Sequence, residues 1–391
     1  MWHRGSVLAY VAGPLKRPLV VSSYGWVPGT QAPVEVPLVT ATILTDGEFT
    51  QPVEGFKGKA VLVEIRSDAV HAYSSAYVAV RAQASKQLGK VGAAAMLIAA
   101  SKPHRMTYTS AYGFYPRGAL PVLSIAQEDA LLVRRLLAKG PVTVGLDVQN
   151  SFSREPAIER NVVADLPGRG CDEVVVVGAH FDSWDLAQGA DDNGSGVAAV
   201  LDAARVLKAV GTLANCSLRF VFFSGEEQAN VGSRAYIKQH HSELDHTRAF
   251  LMMDSGSQAP VGVQVNGRED VAAAVKQFLP KLVPLGAVSI SMNSDLDSDN
   301  ASFMTAGIPS LQLVVEEGDY DIRHHSISDT LDKINPRTLA ANTALLAITA
   351  YELADAREPI ARRLTPVEVK DFLRNTNLEK AQELQFGPLD E

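Results

Sequence analysis

The stretch Val174-Val175-Val176-Val177-Gly178-Ala179-His180-Phe181-Asp182 decides the fold. Four β-branched residues in a row offer no alternation of wet and dry faces, so the strand they form is buried on both sides. Strands of that kind belong to mostly parallel sheets covered by helices. The run ends on an imidazole and, two residues later, a carboxylate, which an extended chain points to the same side.

The pattern repeats downstream. Residues 218–223, 250–253 and 311–315 are further apolar strands without alternation, and helices are expected over 196–210, 233–240, 271–279, 300–306 and 336–353, the last with Pro336 at its first position. The fold class is therefore α/β, a mostly parallel mixed sheet sandwiched by helices. Upstream, strands at 59–65, 94–99, 120–125 and 142–148 with helices at 75–91 and 127–138 read as a separate small α/β domain over residues 37–150. Residues 1–36, broken by Gly13-Pro14 and Pro28-Gly29, read as part of something larger, and the polar stretch 151–157 reads as the return into the second domain.

Composition narrows the function classes. At about 150 residues per domain, a chain of 391 holds two to three domains. With 46% hydrophobic and 20% charged residues it is neither disordered, collagen-like nor a coiled coil. Lys+Arg at 36 against Asp+Glu at 44 gives 36 − 44 = −8, which leaves no basic footprint for nucleic acid. No apolar run approaches the roughly 20 residues of a membrane span, and the run 7–12 is cut by Gly13-Pro14 and Lys16-Arg17, so no signal-peptide pattern is read. Two cysteines, Cys171 and Cys216, exclude a disulfide framework and a CxxC-type zinc site, so any metal must be held by His, Asp and Glu.

Those residue types gather where parallel sheets place their sites, just beyond the carboxyl ends of the strands. His180 and Asp182 follow the first strand. Gly189-Ala190-Asp191-Asp192-Asn193-Gly194 precedes a helix, Glu226-Glu227 follows 220–223, Asp254 follows 250–253, and Tyr320 and His324-His325-Ser326 follow 311–315. Each has a plain structural alternative: a helix cap, a solvated acidic pair, a turn-forming Asp, a surface His. Together they put two His and three or four carboxylates on one edge, which suits two cations about 3.5–4 Å apart that share a carboxylate. Gathering so many anions without metal would be costly. Zinc fits imidazole plus carboxylate best, and manganese or cobalt also fit by ligand type.

The runs His180-Phe181-Asp182-Ser183-Trp184-Asp185, Gly189-Ala190-Asp191-Asp192, Gly225-Glu226-Glu227, Asp254, Asp299-Asn300-Ala301-Ser302-Phe303 and His324-His325-Ser326 with Asp329-Thr330 resemble the co-catalytic zinc exopeptidases of clan MH, in their carboxypeptidase Q branch. The resemblance implies the phosphorylase/hydrolase-like fold and two zinc ions per chain. His180 and Asp254 would complete one site and Glu227 and His325 the other, with Asp192 bridging. Asp182 would orient His180, and Glu226 would be the general base that deprotonates the attacking water. Tyr320 and His324 are the candidate oxyanion donors. It further implies residues 1–36 as a remnant of the peptidase domain, 37–150 as an inserted protease-associated domain that limits substrate length and 151–364 as the di-zinc domain; the composition of 365–391 reads as a polar tail, either a short helix or a loose end. Peptide is the expected substrate, a homodimer the expected assembly, and a secreted or periplasmic location fits the branch. Two other readings stay open: a binding protein on a decayed peptidase scaffold, and an amide hydrolase or cyclase on a non-peptide substrate. The retained ligand set and Glu226 favour the peptidase.

Overall fold

The computed structural model describes residues 1–66, 75–113, 118–211, 213–387 and 389, with side chains in the helix Ser75–Val91 from residue 77 onward. Segments 67–74 and 114–117 of the expected first domain, and 388, 390 and 391 of the expected tail, lie outside the described residues. The chain divides into two compact units, one of Met1–Ile158 with His325–Ile327, the other of Glu159–His324 with Ser328–Glu391.

The first unit is built on an eight-stranded sheet. Its parallel part is Val34–Leu44, Ala60–Arg66, Ala95–Ala99 and Val122–Ile125. The start of the chain does not go with the second domain, as the sequence reading has it, but into this sheet. Val7–Gly13 pairs antiparallel with Val142–Val148, and Val21–Ser23 with Val122–Ile125. Antiparallel pairing across more than a hundred residues leaves no local signal, which is why the prolines and glycines of 1–36 dominate its reading. Trp2–His3 likewise pairs with Ser151–Phe152, so residues expected to leave the domain still belong to it.

The second unit holds a seven-stranded sheet with four parallel central strands: Ser217–Phe223, Val174–His180, Thr247–Met252 and Ser310–Val315. Both faces are covered. Val175, Val177 and Ala179 pack with the helices Ser195–Val210, Glu269–Leu282 and Pro336–Asp355, whereas Val176 joins Tyr236, Phe250 and Phe303 on the other face. That two-sided burial is the reason for the unbroken valine run. Phe250 and Phe303 stack at 3.8 Å between centroids, and Phe223 meets both edge-on.

Two further features belong to this unit. The expected polar tail forms the helices Pro366–Asn375 and Glu379–Phe386, the first opened by a capping box between Thr365 and Glu368. Val369 and Leu373 bury against Leu296, Ala301 and Met304, a face too narrow to stand out among the charges. Cys171 and Cys216 form one disulfide, tying the approach to Val174–His180 to the start of Ser217–Phe223.

Candidate metal centre

Parallel pairing brings the carboxyl ends of the central strands to one edge, and the polar residues follow from it. His180 is the last residue of its strand and pairs with Phe223, so Glu226 and Glu227, three and four residues on, start from the neighbouring strand end. Asp254 lies two residues beyond Thr247–Met252. Asp192 sits in the turn Ala190–Gly194, entered through Gly189 at φ 63°, where a Cβ would collide with the Ser183 side chain. Gly196 opens the following helix so close to the Met253 carbonyl that a side chain would strike it. The turn is thereby pressed against Met253, between the end of the strand Thr247–Met252 and Asp254.

His180 is buried, 1% exposed. Its Nδ1 lies 3.0 Å from the backbone oxygen of Asp182, an acceptor only, so Nδ1 carries the proton there. Its Nε2 lone pair then faces Oδ1 of Asp254 at 3.2 Å and Oδ1 of Asp192 at 3.3 Å. Three acceptors aimed at one another require a cation or a proton between them. Without metal the proton provides it: burial would lower the His180 pKa, but the Asp254 and Asp192 carboxylates outweigh it and hold the imidazole well above its ordinary value. A tetrahedral zinc with bonds of about 2.0–2.1 Å separates its ligand atoms by about 3.4 Å. The two separations from Nε2 match that spacing, and the three atoms all lie within 4.8 Å of one another.

Asp182 meets the His180 ring through its backbone carbonyl, not through its side chain. Its carboxylate is 3.8 Å from Nδ1, beyond hydrogen-bond reach, and the ring is held by the carbonyl of the same residue. The carboxylate instead accepts the backbone N–H of Glu226 at 3.1 Å and of Glu227 at 3.3 Å. Asp182 thus fixes the turn that presents both acids. Burial raises its own pKa against the pull of His180. Glu226 is raised well above the carboxylate range by burial, opposed by His180 and reinforced by Glu227, Asp254 and Asp299. Asn230, held by Gln385 at 3.1 Å, turns its amide to Oε1 of Glu226 at 3.5 Å.

Tyr320 and His324 belong to the same edge. The Tyr320 ring packs so tightly over Gly256 that a Cβ would overlap it. Burial, with Asp192 and Asp254 near, raises the phenol pKa and keeps it a hydrogen-bond donor. His324 Nε2 is 3.7 Å from Oδ2 of Asp192. His325, the expected ligand one residue on, belongs to the segment that groups with the first unit. There its ring stacks on Tyr108 at 5.3 Å, and its Nδ1 is 3.2 Å from the Tyr108 hydroxyl.

Sequence reasoning assigned no role to two carboxylates that the fold recruits. Asp329 accepts the backbone N–H of Asp191 at 2.6 Å and of Asp192 at 3.2 Å. Asp299 is 1% exposed, and burial, only partly offset by His180, pushes its pKa up to about 7. Both stand in the quoted motifs, so their positions were visible and their contacts were not.

Residues 161–350 match peptidase family M28. They are an M28 peptidase domain. Over 365 residues the chain is 27% identical to carboxypeptidase Q of Xenopus laevis, covering 92% of this chain and 76% of that one. With rat carboxypeptidase Q the identity is 29% over 375 residues, at the same coverage. A solved structure described as a peptidase M28 precursor from Shewanella amazonensis superposes with a TM-score of 0.81 at 26% identity, covering 93% of this chain and 84% of that one. A zinc aminopeptidase from Bacillus subtilis shares the fold, with a TM-score of 0.67 at 22% identity, covering 93% of this chain and 86% of that one. The His180 cluster thus lies in the M28 domain.

Proposed function

We propose that this chain is a zinc-dependent metallo-exopeptidase acting on dipeptides or short peptides. His180 and Asp254 would hold one ion and Glu227 and His325 the other, with Asp192 available to both. The observation that carries this reading is the convergence of two carboxylate oxygens on the Nε2 lone pair of His180. Bound there, two zinc ions would supply Lewis acidity to the peptide carbonyl and to a water.

The remaining work falls to this chain's side chains. Glu226 takes the proton of the attacking water as the new C–O bond forms, and returns it to the leaving amine as the C–N bond of the resulting tetrahedral species breaks. Asp182 and Asn230 hold Glu226 in place through its backbone N–H and its carboxylate. The Tyr320 hydroxyl and His324 donate to the oxyanion. Residues 37–150 serve as the protease-associated insertion. A disulfide between Cys171 and Cys216 suits a secreted or periplasmic protein.

Glu226→Gln tests the reading. It removes the base and no ligand, so hydrolysis of a dipeptide library should fall by more than about a thousandfold while the purified variant still binds zinc like the wild type. Undiminished hydrolysis would move the base elsewhere. A folded wild-type chain that takes up no zinc would overturn the metal assignment.

A further inference from the structure

Tyr320 and His324 flank a short helix, Tyr320–Arg323, whose last residue turns inward. The Arg323 side chain is 7% exposed, and its Nε lies 3.1 Å from Oδ2 of Asp191, whose side chain is fully buried. The other carboxylate oxygen of Asp191 accepts the backbone N–H of Ser257 at 2.8 Å. Arg323 is anchored in turn: its Nη1 donates to the Lys333 carbonyl at 3.1 Å and its Nε to the Asp319 carbonyl at 3.3 Å.

These contacts converge on the residue before Asp192. A buried carboxylate without a cation is strongly destabilising, so the place of Asp191 depends on the guanidinium beside it. The planar fork of Arg also fixes direction, which a lysine ammonium does not. Asp329 secures the same two residues through their backbone N–H groups. The direction of the Asp192 carboxylate towards His180 and His324 is inherited from that arrangement.

We propose that Arg323 is a positioning residue of the metal centre: its buried ion pair with Asp191 fixes the backbone that presents Asp192 and couples that turn to the one bearing Tyr320 and His324. The inference rests on Asp192 being a metal ligand. Groups that orient ligands in this way typically account for about 10–100-fold in metal affinity.

The test uses the full chain as wild type, Arg323→Lys, and the double variant Asp191→Asn with Arg323→Met. Each is titrated with zinc against a competing chelator, the cobalt-substituted form is examined by visible absorption, and the metal-free form is melted. Arg323→Lys should bind zinc about 10- to 100-fold more weakly and shift the cobalt bands, with a melting temperature of the metal-free form close to wild type. Its kcat should fall more than its KM rises. The double variant removes both charges and so folds without an unpaired ion; its zinc affinity should stay low, and should Arg323→Lys fail to fold, this variant decides. Wild-type affinity in either folded variant would reduce Arg323 to a charge balancer and overturn the inference alone. A wild-type chain that binds no zinc would overturn the metal-centre reading and this inference with it.

Discussion

Both units run parallel strands to a common edge, and only one of those edges is loaded. In the first unit Ala95–Ala99 leads into Ser101-Lys102 and Val122–Ile125 into the helix Gln127–Leu137. Its described residues by themselves form no cluster of three or more His, Cys, Asp or Glu side chains spaced to hold a metal ion. In the second, strands of the same kind lead into His180, Glu226-Glu227 and Asp254. Buried Arg81 of the first unit is settled structurally: it donates to the Tyr112 and Ala111 carbonyls and to the Ser110 hydroxyl, with its guanidinium over the Tyr24 ring. The second unit instead turns acceptors towards one another. A parallel sheet supplies an edge, and chemistry resides in what is mounted on it.

The sharpest way to break this contrast is to substitute matching positions. His180→Ala should abolish high-affinity zinc binding and lower kcat/KM by more than about a thousandfold, whereas Gln127→Ala, at the equivalent edge of the first unit, should leave kcat/KM within about twofold. Peptide hydrolysis assays and metal analysis on both variants check it; equal losses would mean that the first edge also takes part. Next in size is the core beneath the loaded edge. Phe303→Ala removes the ring stacked on Phe250 and should cost about 3–5 kcal/mol of stability by urea denaturation.

The smallest effect lies at the C-terminal helix pair. Glu368 is half-exposed, and its pKa is lowered by the Arg362 guanidinium and by hydrogen bonds from Thr365. A depressed carboxylate stabilises the fold above the ordinary Glu value and loses that contribution as pH falls through its folded value. Glu368→Ala should therefore speed amide exchange in Pro366–Asn375 at pH 7, with the difference from wild type shrinking as pH falls below about 4. A difference independent of pH would assign the effect to helix propensity.

Much of the second unit was legible because its signals are local. A valine run buried on two faces, a glycine-rich turn before a helix and acids just past apolar strands all read directly, and the helix expected over 336–353 is Pro336–Asp355. The first unit was less so. Val34–Leu44 and the strands of residues 1–36 owe their existence to partners far along the chain. In the site, types and order were readable and pairings were not: the Asp182 carboxylate meets the Glu226 and Glu227 amides, and its backbone carbonyl meets His180.

What residue order alone settles here is the inventory: an α/β fold, an acidic chain with no basic footprint, and a row of His, Asp and Glu at strand ends, since these follow from periodicity and composition. What only folding decides is which of them meet. Arg323 shows why, because an arginine in a charged stretch reads as surface until the chain closes back onto Asp191, far upstream, where loss of water makes the pair matter.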